Sequence, residues 1–302
     1  MLVFFPFDPL KLCVYLLSFR YPEDSTSCER FIKKCFDSAS SECPPNPNTK
    51  VVIVPHAGYR YSGATAAFSF SSLPSSGIKR AIVLGPSHRS YIEGVGVCPS
   101  FDFWDTPLGK LRVDKECLKD AIRHGATELS TKTSANEHSV EIQMPFIRYV
   151  YGDSVSIVPM MVGESIPSKL IEFLANLMKD KETVFVVSSD FCHYGSGFGF
   201  TPFGLKGDVL SSIEELDKKG VDAIEKGYSA FSSYIRRTKN TICGRKPISA
   251  VLQAMEFGSL RDKMSMKLYH YDQSGKMERG CFSDSGRCSS VSYCAIGFEL
   301  NP

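Results

Sequence analysis

The sequence predicts an α/β fold, a single domain in which a central mixed, largely parallel sheet is flanked by helices. Three observations predict it. Three apolar runs, Val51-Val52-Ile53-Val54, Ala81-Ile82-Val83-Leu84 and Val184-Phe185-Val186-Val187, are bounded by Gly, Pro or Ser and are apolar on both faces, as buried parallel strands are. Strand-like and helix-like segments alternate along the chain without a long linker. The 302 residues, 43% of them hydrophobic, suffice for one large core or two modest ones.

The elements follow in order. Residues 1–20 form an atypical N-terminal segment, rich in Leu, Phe and Val but interrupted by Pro6, Asp8, Pro9 and Lys11. It lacks the basic start of a signal peptide and is too short and broken to span a bilayer, so it is expected to pack on the core as strand or loop. Residues 21–300 form the α/β domain. A Ser/Pro/Asn-rich loop, 38–48, precedes the first strand. A helix at 63–72, built of small residues, then leads to a second strand at 80–84, making a right-handed βαβ unit. Helical patterns follow at 114–124 and 137–151, the latter placing Val140, Met144 and Ile147 on one stripe. A strand at 155–161 and a helix at 168–179 lead to the third histidine-bearing strand. Beyond Phe203, Leu210, Ile213, Leu216, Val221 and Ile224 repeat at helical spacing, and 231–237 and 247–257 read as helices, the second with Pro near its first turn. Strands at 266–271 and 290–299 close the chain, their pairing partners open. No repeat of solenoid length is visible.

Composition narrows the function. A formal net charge of +2 and scattered basic residues, the densest cluster being Arg236-Arg237 with Lys239, predict no nucleic-acid partner. No membrane insertion is expected either. The 11 cysteines are odd in number and contain no C-x-x-C pair, so they read as reduced thiols of a cytoplasmic protein. In an exported protein, Cys28/Cys35/Cys43 and Cys281/Cys288/Cys294 would instead be disulfide candidates.

Each of the three strands ends in a polar tip with a histidine: Pro55-His56, Gly85-Pro86-Ser87-His88, and Ser188-Ser189-Asp190-Phe191-Cys192-His193. Ligands of open α/β sheets sit beyond the carboxyl ends of strands, so imidazoles and a carboxylate converge on one crevice. Asp190 either caps a turn or faces that crevice with His193, where a buried carboxylate needs a cation or imidazolium partner. Cys243, in Thr241-Ile242-Cys243-Gly244-Arg245, is either a buried inert thiol or a reactive or ligating one, its thiolate favoured by the helix start and by Arg245 and Lys246. In Glu137-His138-Ser139-Val140-Glu141, His138 and Glu141 share a face. Capping and solvation account for the glutamates, while His138 is a candidate for support of the site or for general acid work. His124 and His270 read as structural. With no G-x-G-x-x-G, P-loop or G-x-S-x-G motif present, any cofactor chemistry here is metal chemistry. Two histidines with a carboxylate suit non-haem iron; a thiolate instead of the carboxylate moves preference toward copper(I), zinc or redox-sensitive iron.

Six motifs in order carry a family resemblance: Pro55-His56-Ala57-Gly58-Tyr59, Leu84-Gly85-Pro86-Ser87-His88, Thr106-Pro107-Leu108-Gly109, Glu137-His138-Ser139-Val140-Glu141, Val187-Ser188-Ser189-Asp190-Phe191-Cys192-His193 and Thr241-Ile242-Cys243-Gly244-Arg245. From about Phe19 to Glu299 the chain resembles the Memo family, named for mediating receptor-tyrosine-kinase-driven cell motility. The resemblance implies a class III extradiol dioxygenase-like fold, also called LigB-like. It implies one iron or copper ion, zinc being less favoured, on His56, His88 and Cys243, with Asp190 and His193 lining the pocket. It implies a redox role and binding of phosphorylated receptor-tail peptides, for which Tyr61, His193 and Arg245 are the candidate contacts. The chain departs from the family at Leu17-Ser18-Phe19-Arg20-Tyr21-Pro22, where the family has a histidine and a tryptophan before Tyr-Pro, and at Gln143, where some relatives carry histidine. Its one tryptophan, Trp104, stands where relatives tend to carry tyrosine.

Three functions are therefore expected in order. The first is a metal-binding protein of redox-linked signalling in cell migration; the second is a non-catalytic phosphotyrosine-peptide adaptor. The third is an enzyme, a non-haem iron dioxygenase or metal-assisted hydrolase with His193, Asp190 and His138 as catalytic candidates. Ring opening sits poorly with Cys243 in place of a carboxylate ligand.

Overall fold

The computed structural model describes residues 20–202, 208–275 and 289–301. The N-terminal segment up to Phe19, and Cys281 and Cys288, lie outside the described residues. In chain order the strands are β1 (Thr49–Val54), β2 (Arg80–Pro86), β3 (Val95–Val97), β4 (Phe103–Thr106), β5 (Gly109–Val113), β6 (Thr127–Glu128), β7 (Ser156–Val162), β8 (Thr183–Ser188), β9 (His193–Tyr194), β10 (Met264–Gln273) and β11 (Ser290–Leu300). The helices are α1 (Ser25–Ala39), α2 (Tyr59–Ser71), α3 (Lys115–Arg123), α4 (Thr131–Ala135), α5 (His138–Glu141), α6 (Met144–Tyr151), α7 (Ser168–Lys179), α8 (Val209–Glu225), α9 (Tyr228–Thr238) and α10 (Arg245–Phe257).

The apolar runs form the middle of one mixed sheet ordered β10-β11-β1-β8-β2-β7-β3-β6. Strands β1, β8, β2 and β7 run parallel, and every residue of β1 and β8 is buried. That burial on both faces is why these runs are apolar throughout rather than alternating. β11 pairs antiparallel with β1 and β10 and, at its start, with β9, which supplies the partners the sequence left open. The histidine-bearing strands are thus three neighbours, but β8 lies between β1 and β2, so the βαβ unit skips over a strand.

The predicted helix at 137–151 is two helices. Pro145 stands in the first turn of α6, where its missing N–H is no loss, whereas within one continuous helix it would break a hydrogen bond. The short strands β3 to β6 escape a pattern reading because they are two to five residues long and β4 and β6 are largely exposed. Asp114 and His124, expected inside a helix, flank α3 as its caps. Cys28, Cys35 and Cys43 are free, buried thiols, as is Cys294, so the disulfide alternative is not realised among them.

Candidate metal centre

The register of the parallel strands aligns the site. Val54 of β1 is level with Ser188 of β8, and Leu84 of β2 with Val187. His56, Asp190 and His88 therefore all stand two or three residues beyond one line across the sheet, at its carboxyl edge. Two glycines let other segments close on that edge. A Cβ on Gly85 would stand 2.8 Å from Val140 Cγ2, and one on Gly244 2.6 Å from the Ser188 carbonyl oxygen. Any side chain there would push α5 off β2, or the Cys243 loop off β8.

Four imidazoles gather here, and their acceptors assign their tautomers. Ser188 donates its hydroxyl to the Ser139 carbonyl at 2.6 Å, so it accepts from His56 Nδ1 at 2.8 Å and from Gln143 Nε2 at 2.9 Å. His88 Nδ1 and His138 Nδ1 lie 3.0 and 3.2 Å from the same Glu137 Oε1. His193 Nδ1 faces the carbonyls of Phe191 and Thr241, at 3.0 and 3.1 Å. All four rings thus carry a proton on Nδ1, so Nε2 is the nitrogen each ring turns away from its acceptor and could offer to a ligand. The rings of His56, His88 and His138 stand 4.6 to 5.5 Å apart between centroids.

Cys243 completes the set. Its Sγ lies 3.1 Å from His56 Nε2, and the ligand atoms of His56, His88 and Cys243 fall within 4.8 Å of one another. The Cys243 thiol is thus placed to donate to His56 Nε2; tetrahedral ligands with bonds of about 2.1 Å to nitrogen and about 2.3 Å to sulfur are separated by about 3.6 Å, so an ion replacing that proton would part the two atoms by about half an ångström. With two imidazole nitrogens and one sulfur within 4.8 Å of one another, the donor set fits a single transition-metal ion. Asp190, His193 and Cys243 form a second group of the same size. The His88, Glu137, His138 group is of another kind, because the carboxylate is engaged by the Nδ1 protons.

Electrostatics set the charge states. Burial, reinforced by His88 and His138, pushes the His56 imidazole well below the ordinary histidine value, so it is neutral. Burial pushes Glu137 up, but hydrogen bonds from His138, His88 and the Ser139 amide outweigh it and hold the carboxyl well below the usual range. Burial also raises Asp190, against the pull of His193 and of the His56 and Ala57 amides. For Cys243 the structure reverses the sequence expectation. Burial and the Asp190 charge push its thiol well above the ordinary value, more than the Asp190 and Gly244 amides pull it down. Lys246 is turned away to Glu164, 3.1 Å distant, and Arg245 is exposed.

The remaining candidates divide. Asp190 does not cap the turn that follows it; it accepts from the His56 and Ala57 amides at 2.7 and 3.2 Å, beyond the end of β1, and lies beside His193 and Cys243. His138 joins the site, but Glu141 parts from it to accept from Tyr21 at 2.9 Å and to pair with Arg20. Arg245 lines a cleft of about 210 Å³ with Ser87, His88, Tyr91 and Cys243. Tyr61 is exposed on α2 under the Arg60 guanidinium and does not line that cleft. His124 and His270 stack on Phe173 and Phe68, away from the site. Sequence reasoning passed over Glu137, Ser188 and Gln143 as orienting groups. The one signal for Glu137 was its place beside His138, which fits a cap equally well, and Glu137 is also the cap of α5.

Fold and site together define an α/β protein with a candidate histidine–cysteine metal centre at the carboxyl edge of its sheet. The profile of the family described as Memo-like protein matches residues 18–296. Among curated relatives, Protein memo-1 homolog of Caenorhabditis elegans is 36% identical, covering 93% of this chain and 81% of its own length. Protein MEMO1 of Danio rerio and of Homo sapiens are 36% and 35% identical, each covering 82% of this chain and 84% of their own length. The chain belongs to the Memo family, and that membership supports the class III extradiol dioxygenase-like fold. A solved structure of an uncharacterised protein from Escherichia coli K12 superposes with a TM-score of 0.46 at 13% identity, covering 82% of this chain and 99% of that one.

Proposed function

We propose that the chain holds one iron or copper ion on His56 Nε2, His88 Nε2 and Cys243 Sγ and acts in the cytoplasm in redox-linked signalling for cell migration. The observation that carries the reading is the convergence of three donor atoms within 4.8 Å, with both imidazole lone pairs freed by acceptors behind the rings. Such outer partners fix ring orientation in metal sites. When bound, the ion supplies one-electron redox chemistry and polarises dioxygen or water. The chain's residues do the rest. Ser188 and Glu137 hold the two imidazoles, Cys243 gives up its thiol proton on binding, and His193, with Nδ1 protonated, offers Nε2 as a proton acceptor beside Asp190. The free cysteines among the described residues support the cytoplasmic placement. The signalling role is the one the family resemblance implies.

Anaerobic titration with Fe(II) and Cu(I) tests the reading: the wild type should take up one equivalent, and Cys243→Ser should bind at least about tenfold more weakly. Identical binding by the two would remove the sulfur from the ligand set. A second reading, capture of a phosphorylated receptor-tail peptide, is favoured by the exposed Arg245 on the rim of the cleft that reaches His88 and Cys243. Fluorescence anisotropy with phosphorylated and unphosphorylated peptides decides it, and equal affinity for both would end it.

A further inference from the structure

Asp217, on α8, has no accessible surface, and none of the donors that act on its carboxylate is a cation. Asn240 Nδ2 donates to Oδ1 at 2.9 Å, Tyr271 donates to Oδ2 at 3.2 Å, the Ser292 hydroxyl donates to Oδ2, and the Cys192 amide also acts on the carboxylate. These four groups come from the loop before α10, from β10, from β11 and from the turn after β8. Two of those segments carry site residues, Cys243 three residues beyond Asn240 and His193 next to Cys192.

We propose that Asp217 is a positioning residue for the metal centre: its carboxylate draws the 240–243 segment and the 192–193 turn onto β10 and β11, holding Cys243 and His193 at one point. The inference rests on the reading of Cys243 as a ligand. The bonds between the two segments make the path continuous. Thr241 Oγ1 accepts from the His193 amide at 2.7 Å and donates to the His193 carbonyl at 3.1 Å, while the Thr241 carbonyl faces His193 Nδ1. On the β11 side, the Ser292 amide donates to the Cys192 carbonyl at 3.0 Å and the Phe191 amide to the Ser292 carbonyl at 2.8 Å.

Asn240 shows what the carboxylate does. Its Nδ2 protons go to Asp217 and to Tyr234 Oη, at 2.9 and 2.8 Å, and Tyr234 passes its own proton to the Leu216 carbonyl. Asn240 Oδ1 is left buried with no partner. The amide is therefore oriented by the carboxylate against the interest of its own oxygen, which is a local loss of stability. A buried carboxylate without a cation is a second loss. Removing its charge therefore separates positioning from stability, since the first should suffer and the second should not.

The test compares the full-length wild type with Asp217→Asn. In the metal-free protein, amide hydrogen exchange over residues 191–194 and 240–244 should accelerate by about tenfold in the variant, with exchange in β1, β2 and β8 and the melting temperature at neutral pH undiminished. With Co(II) as probe, the variant should bind at least about tenfold more weakly and show a reduced sulfur-to-cobalt charge-transfer band. Unchanged exchange in both segments overturns the inference. A wild type that binds Co(II) without that band overturns the reading of Cys243, and the exchange data still decide whether Asp217 holds the two segments. Should Asp217→Asn fail to fold, Ser292→Ala removes one donor and keeps the carboxylate. It should move both readouts in the same direction by a smaller factor, and no movement overturns the inference.

Discussion

Glu137 takes hydrogen bonds from His88 and His138 and from two backbone amides, so one nearly inaccessible carboxylate governs two imidazoles. Glu137→Gln would set an amide N–H₂ either against the two ring protons that now share Oε1 or against the His88 backbone N–H that Oε2 accepts, displacing His88 in both cases. Metal affinity, measured by competition with a chromophoric chelator, should fall about 10- to 100-fold, as it does when outer partners of metal ligands are changed. An unchanged affinity would mean that His88 is not held as a ligand. Cys243 makes a second statement at this scale. Burial and the Asp190 charge keep its thiol protonated well above the ordinary value. Binding therefore releases that proton, and affinity should rise about tenfold per pH unit from neutral to mildly alkaline solution. Affinity flat across that range would exclude the sulfur. Neither Glu137 nor Ser188 was legible as an orienting group, since Glu137 meets His88 at a separation of 49 residues and Ser188 meets His56 at 132. A cap and a ligand-orienting carboxylate look alike in a one-dimensional pattern.

At the scale of elements, the site depends on two loops reaching strand ends closely. Gly244 is where the loop bearing Cys243 crosses β8. Gly244→Ala should leave the far-ultraviolet dichroism intact yet displace Cys243, and the Cu(I) titration should lose its tight phase; full retention of that phase would show that the loop has slack. Helix α8 contributes through Asp217. Burial raises its carboxyl from 3.8 to about 6, although Ser292, Asn240 and Tyr271 pull the other way. Between those values the fold keeps a proton that the unfolded chain has released, so stability falls as pH rises through the window, by roughly 3 kcal/mol at pH 7. The groups that face it, Cys192, Cys294, Tyr234 and Tyr271, are all pushed upward by burial and do not titrate there. Asp217→Asn lacks this titration. Urea unfolding at acid and neutral pH should show the variant gaining on the wild type by about that amount; a constant difference would contradict the buried, cation-free setting. The helix split at Pro145 was in principle readable from the proline. Asp217 was not, because it falls among the charged residues of an amphipathic helix and only the packing of β10 and β11 reveals it as buried.

For the whole molecule, the three strand tips were readable because strands buried on both faces are apolar without interruption and end abruptly in polar residues. That placed His56, His88, Asp190 and His193 at one edge. The sheet order was not readable, since nothing in the sequence says that β8 inserts between β1 and β2, or that β11 joins β1, β10 and β9. The place of Cys243 just before α10 was readable, but its meeting with His56, 187 residues away, depends on that order and on Gly244. The central claim is that these distant segments make one ligand set. X-ray absorption at the metal edge of the anaerobically loaded, full-length chain tests it most directly: the account predicts one sulfur at about 2.3 Å with two imidazoles at about 2.0 to 2.1 Å, and a shell of nitrogen and oxygen alone would contradict it.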